Sequence, residues 1–501
     1  MSSSTPDPIP TPAASTLNRG IRGHLVLVVI LAVWLIANFL TAARYPCASN
    51  DEVAYADPAV NLLLHGKWVS TGWYAQDISG FFAGNVPLYP ALLFLWLKVF
   101  GFSIVTVRSL DYVLFAMVAI ILYAAIPRLT AASRGSSAAG IVFTLLLLFG
   151  YSLIFDYRSA RPDVLTILLV SIPALACIAR WRFRIAVVSL CAFLLPCAGL
   201  QTLPLLVVLA LFLLWLNWRE YWQPVFAAGF GSACGVAALL ALYHSHGVLG
   251  AFFRSIRWHV AQTVTVHRYQ YPKDFSLVIL LAGAIGVELI HASRGRFRLR
   301  SPLALGILLS LAISASLVLA GKFETYYGWM AYIPLSIAAV IEWAKPGLDR
   351  LSGRLLECAF AAAIFIGAGL HICSAVYNWP YRDPSLPDQL VARNLKPGDI
   401  AYADPSAYYG LLNNGFTPYV GYYADIMSQQ EKNLTSVLVV QPRFLSEATA
   451  KIGGAWKLVD AYIPPRTGFL GTRWNMGFLS EFDYTLGVYR RTGASSSSSS
   501  R

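Results

Sequence analysis

The chain has 501 residues, 57% of them hydrophobic and only 13% charged. A soluble domain carries about a quarter charged residues, so this composition excludes one and indicates a polytopic, α-helical membrane protein. The formal net charge of +13 does not point to nucleic acid, because the basic residues fall in short clusters between apolar runs, the pattern that orients membrane spans, without interleaved aromatics.

Residues 1–22 are Ser/Pro/Thr-rich at the start and read as a disordered cytoplasmic tail. Arg19 and Arg22 then precede the apolar run from His24 to Leu40, which no small-residue cleavage site follows, so it reads as a retained first span with its N-terminus inside. The stretch CASNDEVAYADPAVNLLLHGK at 47–67 comes next, with the adjacent acids Asp51 and Glu52. Asp57-Pro58 predicts a helix start, a carboxylate cap before a first-turn proline, and Gly66 predicts its stop.

Two apolar runs follow, 87–101 and 104–126. The first is shorter than the ~20 residues a span needs and predicts a broken or partly inserted helix. Beyond it, four basic groups should lie inside: Arg128 and Arg134; Arg180, Arg182 and Arg184; Arg294, Arg296, Arg298 and Arg300; Lys345, Arg350 and Arg354. The alternating loops 157–163, 197–202, 244–274 and 321–327 should lie outside, as should everything after Asn378, for a total of about eleven spans. The loop 244–274 holds His244, His246, Arg254, Arg257, His259, His267 and Arg268 without an acidic partner, which suits a solvated or phosphate-facing basic loop better than a metal site. From 379 to 492 the pattern changes to a small α/β domain outside the membrane. DIAYAD, SVLVV and TLGVYRR read as strands there, and LPDQLVARNL and PSAYYGLL as helices. The tail 493–501 is Ser-rich and reads as disordered. The seven cysteines show no paired spacing and predict no disulfide framework.

Three of the outer loops carry ionisable groups at the membrane boundary. The first holds Asp51 and Glu52, the second (YRSARPDVL) Arg158, Arg161 and Asp163, and the third (GKFETYYGW) Lys322, Glu324, Tyr326 and Tyr327. Any one of these can be an ordinary side chain reaching for the interface. Acids and cations gathered on one face suit a reaction in which a carboxylate takes a proton while cations hold a phosphate.

These residues resemble a family. Asp51, Glu52 and Tyr55, then Leu63, Leu64, Gly66 and Trp68, are similar to the first outer loop of the GT-C glycosyltransferases, in the branch of the lipid A aminoarabinose transferases and protein O-mannosyltransferases. The resemblance continues through Pro87-Leu-Tyr, Gly101, Arg108, Ala160-Arg-Pro-Asp-Val-Leu and Gly321-Lys-Phe-Glu-Thr-Tyr to Pro334, covering about residues 24–345. It implies an inverting sugar transfer from a polyprenyl-phosphate donor to a lipid, glycan or protein acceptor, outside a bacterial cytoplasmic membrane. It implies Asp51 and Asp163 as the catalytic acids. Lys322 and Tyr326 are expected at the donor phosphate, with Glu52, Tyr55, Arg158 and Arg161 completing the substrate-binding set. A divalent cation is used by some relatives and not by others, and no metal-ligand set stands out here. Asp51 is the expected base, because Arg161 two residues before Asp163 weakens the latter. The chain departs from the aminoarabinose transferases at Asn85-Val86-Pro87, which lacks their lysine and one proline, so their donor and acceptor are not carried over. A lipid-linked saccharide flippase or other transporter is the competing reading. It calls for repeated halves and discontinuous helices, and the sequence shows no repeat. A receptor reading leaves about ten spans without a use.

Overall fold

The computed structural model describes residues 13–73, 76, 80–130, 136–266, 274–320, 325–463 and 484–492. The first helix, α1 (Ala13–Thr41), starts before the predicted tail ends, so residues 13–22 are helical rather than disordered. Once the apolar run has nucleated a helix, each added residue gains a hydrogen bond at little cost. Residues 1–12 and 493–501, also expected disordered, lie outside the described residues.

α2 (Asn50–His65) corrects a second expectation, for it begins seven residues before Asp57. Ser49 is the N-cap and accepts the Glu52 amide, so Asp51 and Glu52 sit in the first helical turn, where carboxylates complement the helix dipole. Pro58 is tolerated inside the helix. Gly66, at φ 68°, closes it as predicted. α3 (Leu88–Phe100) is the expected short helix of 13 residues, and α4 (Ile104–Leu129) is capped by Ser103.

α5 (Ser136–Phe149) and α6 (Tyr151–Arg158) meet at a 62° bend. The hinge, Gly150, lies so near Tyr332 that a Cβ there would be 2.7 Å from its ring. α7 (Asp163–Ile178) and α8 (Arg184–Ala198) follow, then α9 (Leu203–Ser245), which is broken at Asn217. Gly231 and Gly235, four residues apart on α9, let it touch the α8 backbone; a Cβ at either would lie within 2.3 Å of the Ser189 or Phe193 carbonyl oxygen. α10 (Leu249–Val266) occupies much of the predicted basic loop, and His246 before it stacks on Phe81. His267 and Arg268 lie outside the described residues, as does Arg134. α11 (Phe275–Ser293), α12 (Pro302–Leu319), α13 (Trp329–Trp343) and α14 (Arg350–Asn378) complete the bundle.

The bundle turns large apolar side chains outward: Leu25 and Val33 on α1, Phe226 and Phe230 on α9, Phe365 and Val376 on α14. Water does not tolerate such surfaces, and lipid does. Among the described residues six helical segments are long and apolar enough to cross a membrane, or seven with α5 and α6 as one bent span. The expected eleven requires also counting α7, α8, α13 and each half of α9, all but one shorter than ~20 residues.

After α14 the chain forms an α/β unit. Its elements are α15 (Ser385–Asn394), β1 (Ala401–Ala403), α16 (Tyr408–Asn413), β2 (Tyr419–Val420), α17 (Gln429–Leu434), β3 (Val437–Val440), α18 (Leu445–Ile452), β4 (Ala455–Tyr462) and β5 (Leu486–Thr492). The predicted strands are β1, β3 and β5, and the predicted helices α15 and α16. The sheet order is β2-β1-β3-β5-β4, with β1 parallel to β2 and β3, and β5 antiparallel to β3 and β4. Successive strand residues point to opposite faces, so Val437, Val439 and Val488 join one core while Leu438, Val440 and Tyr489 join the other.

This unit is fastened to α2. Tyr408 donates to Asp57 Oδ1 at 2.8 Å and Tyr409 to Glu52 Oε1 at 2.9 Å, while the Val420 amide reaches the Thr71 carbonyl at 2.9 Å. Asp57, predicted as a helix cap, instead ties the helix, the 70–71 segment and the C-terminal unit together. It accepts from Ser70 Oγ at 2.8 Å and from the Thr71 amide as well as from Tyr408. Burial pushes its carboxyl above the usual range, against the pull of those hydrogen bonds.

Candidate active site

Asp51 and Glu52 are consecutive on α2, so their side chains leave the helix about 100° apart and meet different partners. Glu52 turns into the bundle. Arg108 on α4 grips both its oxygens, Nε to Oε1 at 3.0 Å and Nη2 to Oε2 at 2.7 Å, and Arg108 Nη1 also donates to the Ala42 carbonyl. Both side chains are fully buried, and the Tyr409 hydroxyl completes the cage. A substrate does not reach Glu52 there. Its expected place in the substrate-binding set gives way to one in the scaffold, because a buried guanidinium requires a buried partner.

Asp51 turns the other way, to Arg161. That residue sits at the corner between α6 and α7, where Ala160 adopts a left-handed φ of 46° and swings the chain so that the Arg161 amide donates to Asp111 Oδ2 at 2.8 Å. The guanidinium pairs with Asp51 through Nη1 and with Asp163 through Nε at 3.0 Å, and Asp156 lies 3.9 Å from Nε. Tyr326 lies under its face at 3.7 Å and Tyr55 at 5.7 Å. Tyr89 donates to Asp111 Oδ2 at 3.2 Å.

The sequence-predicted residues therefore divide. Asp51, Tyr55, Arg161, Asp163 and Tyr326 come together around one guanidinium. Arg158 does not join them. It donates to Asn38, to Thr41 Oγ1 at 2.7 Å and to the Tyr45 carbonyl at 2.8 Å. It lines a separate apolar cavity of about 760 Å³ with Trp34, Tyr45, His371 and Trp379. Lys322 and Glu324 lie outside the described residues.

One argument from sequence fails here. Arg161 was expected to distinguish Asp163 from Asp51, yet it pairs with both. What separates them is access: the Asp51 side chain is 16% exposed, whereas Asp163 and Asp156 are at 0% and Asp111 is also fully buried. Asp51 is the carboxylate of the group that an incoming molecule can touch.

Asp111 and Asp156 escaped the sequence reading, although an acid inside an apolar run is a rare and costly placement that marks a site. Asp156 has no hydrogen bond to either oxygen among the described residues, and Asp111 none to Oδ1. Among the described residues no group of three or more His, Cys, Asp or Glu is arranged to hold a metal ion.

No protein-family description and no curated protein matches this chain. Among solved structures it is similar to ArnT from Cupriavidus metallidurans bound to undecaprenyl phosphate, with a TM-score of 0.59 at 15% identity over 94% of this chain and 98% of that one. It is also similar to the apo state of the same protein, with a TM-score of 0.56 at 12% identity and the same coverage. At such identities the likeness establishes the fold alone, which is that of the ArnT structure.

Proposed function

We propose that this chain, with its GT-C fold, is a membrane glycosyltransferase. It moves a sugar from a polyprenyl-phosphate donor to an acceptor hydroxyl or phosphate on a lipid, glycan or protein, at the outer face of the cytoplasmic membrane. The observation that carries the reading is a single reachable carboxylate, Asp51, held by a buried guanidinium that stacks on Tyr326. Binding of undecaprenyl phosphate by the ArnT structure of the same fold supports a lipid-phosphate donor.

The chemistry is one displacement with inversion. The acceptor oxygen bonds to the anomeric carbon while the bond from that carbon to the phosphate oxygen breaks, and the lipid phosphate leaves with the electron pair. The acceptor proton passes to Asp51. Arg161 fixes the carboxylate in direction, so little reorganisation is needed at the moment of attack. Asp163 holds the guanidinium from behind and Asp111 holds the Arg161 backbone amide, both as positioning residues. Lys322 is the expected cation for the departing phosphate, whose charge grows in the transition state.

The transporter reading gains one of its two expected features from the α5–α6 bend. Two experiments separate the readings. Extracted lipids and envelope glycans of a deletion strain are compared with those of its parent, where the transferase reading expects loss of one glycosylated product and build-up of its donor. Purified protein in detergent then receives labelled donor and an extract of the deletion strain's acceptors. Transfer in micelles, where no compartments exist, supports the enzyme; activity confined to sealed vesicles overturns it in favour of the flippase.

A further inference from the structure

In the α/β unit the chain runs from β1 out to β2 and then returns across to β3, on the other side of β1. The connections leaving the carboxyl ends of β1 and β3 thus diverge and open a crevice, the place where open parallel sheets hold ligands. The crevice is a formed pocket. Its volume is about 90 Å³, several times the ~10–15 Å³ that one water occupies, which suits a small polar group and not a lipid chain.

Its lining comes from four separate segments. Asp404 follows β1, Gly421 and Tyr422 follow β2, Phe444 and Lys451 follow β3, and Asn50 belongs to the first turn of α2. Asp404 is 8% exposed. Its Oδ2 accepts the Gln441 amide, and its carboxylate has no other hydrogen bond among the described residues. Asn50 makes no side-chain hydrogen bond among those residues, and its Oδ1 sits 2.6 Å from where a Cβ on Gly421 would be, so the glycine leaves the amide its space. Lys451 is occupied by Asp425 at 2.9 Å and Glu447 at 3.0 Å. An acid that accepts, an amide that both donates and accepts, and flanking aromatic rings recognise hydroxyls on a ring whose C–H face rests on the aromatics. The acidic lining disfavours an anion, and among the described residues no three-ligand set is present for a metal.

We infer that this crevice is a binding site for one neutral sugar ring, with Asp404 and Asn50 holding its hydroxyls. The site stands apart from the transfer reading, since Asp51 does not line it and binding is measured without turnover. It is also next door: Asn50 and Asp51 are consecutive, so an occupant bears on the turn that carries the reactive carboxylate.

The test is saturation-transfer NMR on the full-length protein in a sugar-free amphipol, with D-glucose and L-arabinose as probes and glycerol as the open-chain control. Wild type should give ring-proton signal for at least one sugar and none for glycerol. Asp404→Asn and Asn50→Ala should each weaken the affinity by about tenfold or more, with unchanged circular dichroism as the folding check, while Asp51→Asn should bind as wild type. No signal from either sugar overturns the assignment. So does equal binding by wild type and both pocket variants, or loss of binding in Asp51→Asn alone.

Discussion

Replacing Glu52 by Gln separates its two possible roles. Glu52 and Arg108 are each fully buried and joined by two bonds of 3.0 and 2.7 Å. Glutamine keeps the shape and one acceptor, but turns an N–H group toward a partner that also donates, either Arg108 or Tyr409. The guanidinium is left as an uncompensated buried charge, a defect that costs about 3–5 kcal/mol. Against a typical total of about 5–15 kcal/mol this is a large share, and it should lower the melting temperature on the order of 10 °C. The assay is thermal unfolding of detergent-purified protein followed by tryptophan fluorescence. Arg108→Met alone should cost as much, and the pair Glu52→Leu/Arg108→Met should recover most of the loss, because removing both charges removes the defect. A Glu52→Gln protein that melts with wild type yet transfers sugar poorly would refute the scaffold role and return Glu52 to the substrate.

Asp51→Asn should cut transfer by roughly a hundredfold or more while leaving folding intact, and near-normal turnover in folded protein would remove Asp51 as the base. Lys322→Ala should weaken apparent donor affinity or turnover at least about tenfold, with unchanged kinetics ruling the lysine out of the donor site. Reporter fusions at Arg184, Arg300 and Arg354 should read inside and one at Ser385 outside; an inside reading at Ser385 breaks the topology. Burial pushes Asp404 up to about 7, against its Gln441 hydrogen bond and Arg443 and helped by Glu447. A raised folded-state value means that its share of stability is full below the ordinary carboxylate range and is lost as pH rises through 7. Asp404→Asn should therefore protect the β1 and β3 amides from hydrogen exchange better than wild type at pH 8, with the gap closing at pH 5. Equal protection at both pH values counts against that burial penalty.

Whatever depends on local pattern was legible in the sequence. Apolar runs gave the membrane helices, and SVLVV gave β3, buried on both faces. Four of the residues around Arg161 (Asp51, Tyr55, Asp163 and Tyr326) were named from short motifs. Long-range partners were not legible. Nothing in the residues near Asp51 says that it pairs with a side chain 110 positions away, or that its neighbour Glu52 is taken by Arg108. The start of α2 was misplaced because Asp57-Pro58 and Ser49 both carry cap chemistry. Tertiary contact decided between them, since Tyr408 and Thr71 claim the Asp57 oxygens. β4 was missed because it is an edge strand with little buried side.

The paired tyrosines that clasp α2 also fix an order of events in time. Glu52 and Tyr409 are 357 positions apart, and at about 5–20 residues per second the ribosome needs roughly 20–70 s to cover that interval. The acid helix is thus delivered to the membrane early and waits, its buried carboxylates lacking their last partners. The wait does not end when Tyr409 emerges. β5, the final strand, lies between β3 and β4, so the sheet that presents Tyr408 and Tyr409 lacks an interior strand until Leu486–Thr492 are made. A nonsense codon a few residues before Leu486 would leave α1 to α14 encoded in full and still remove the strand that joins β3 to β4.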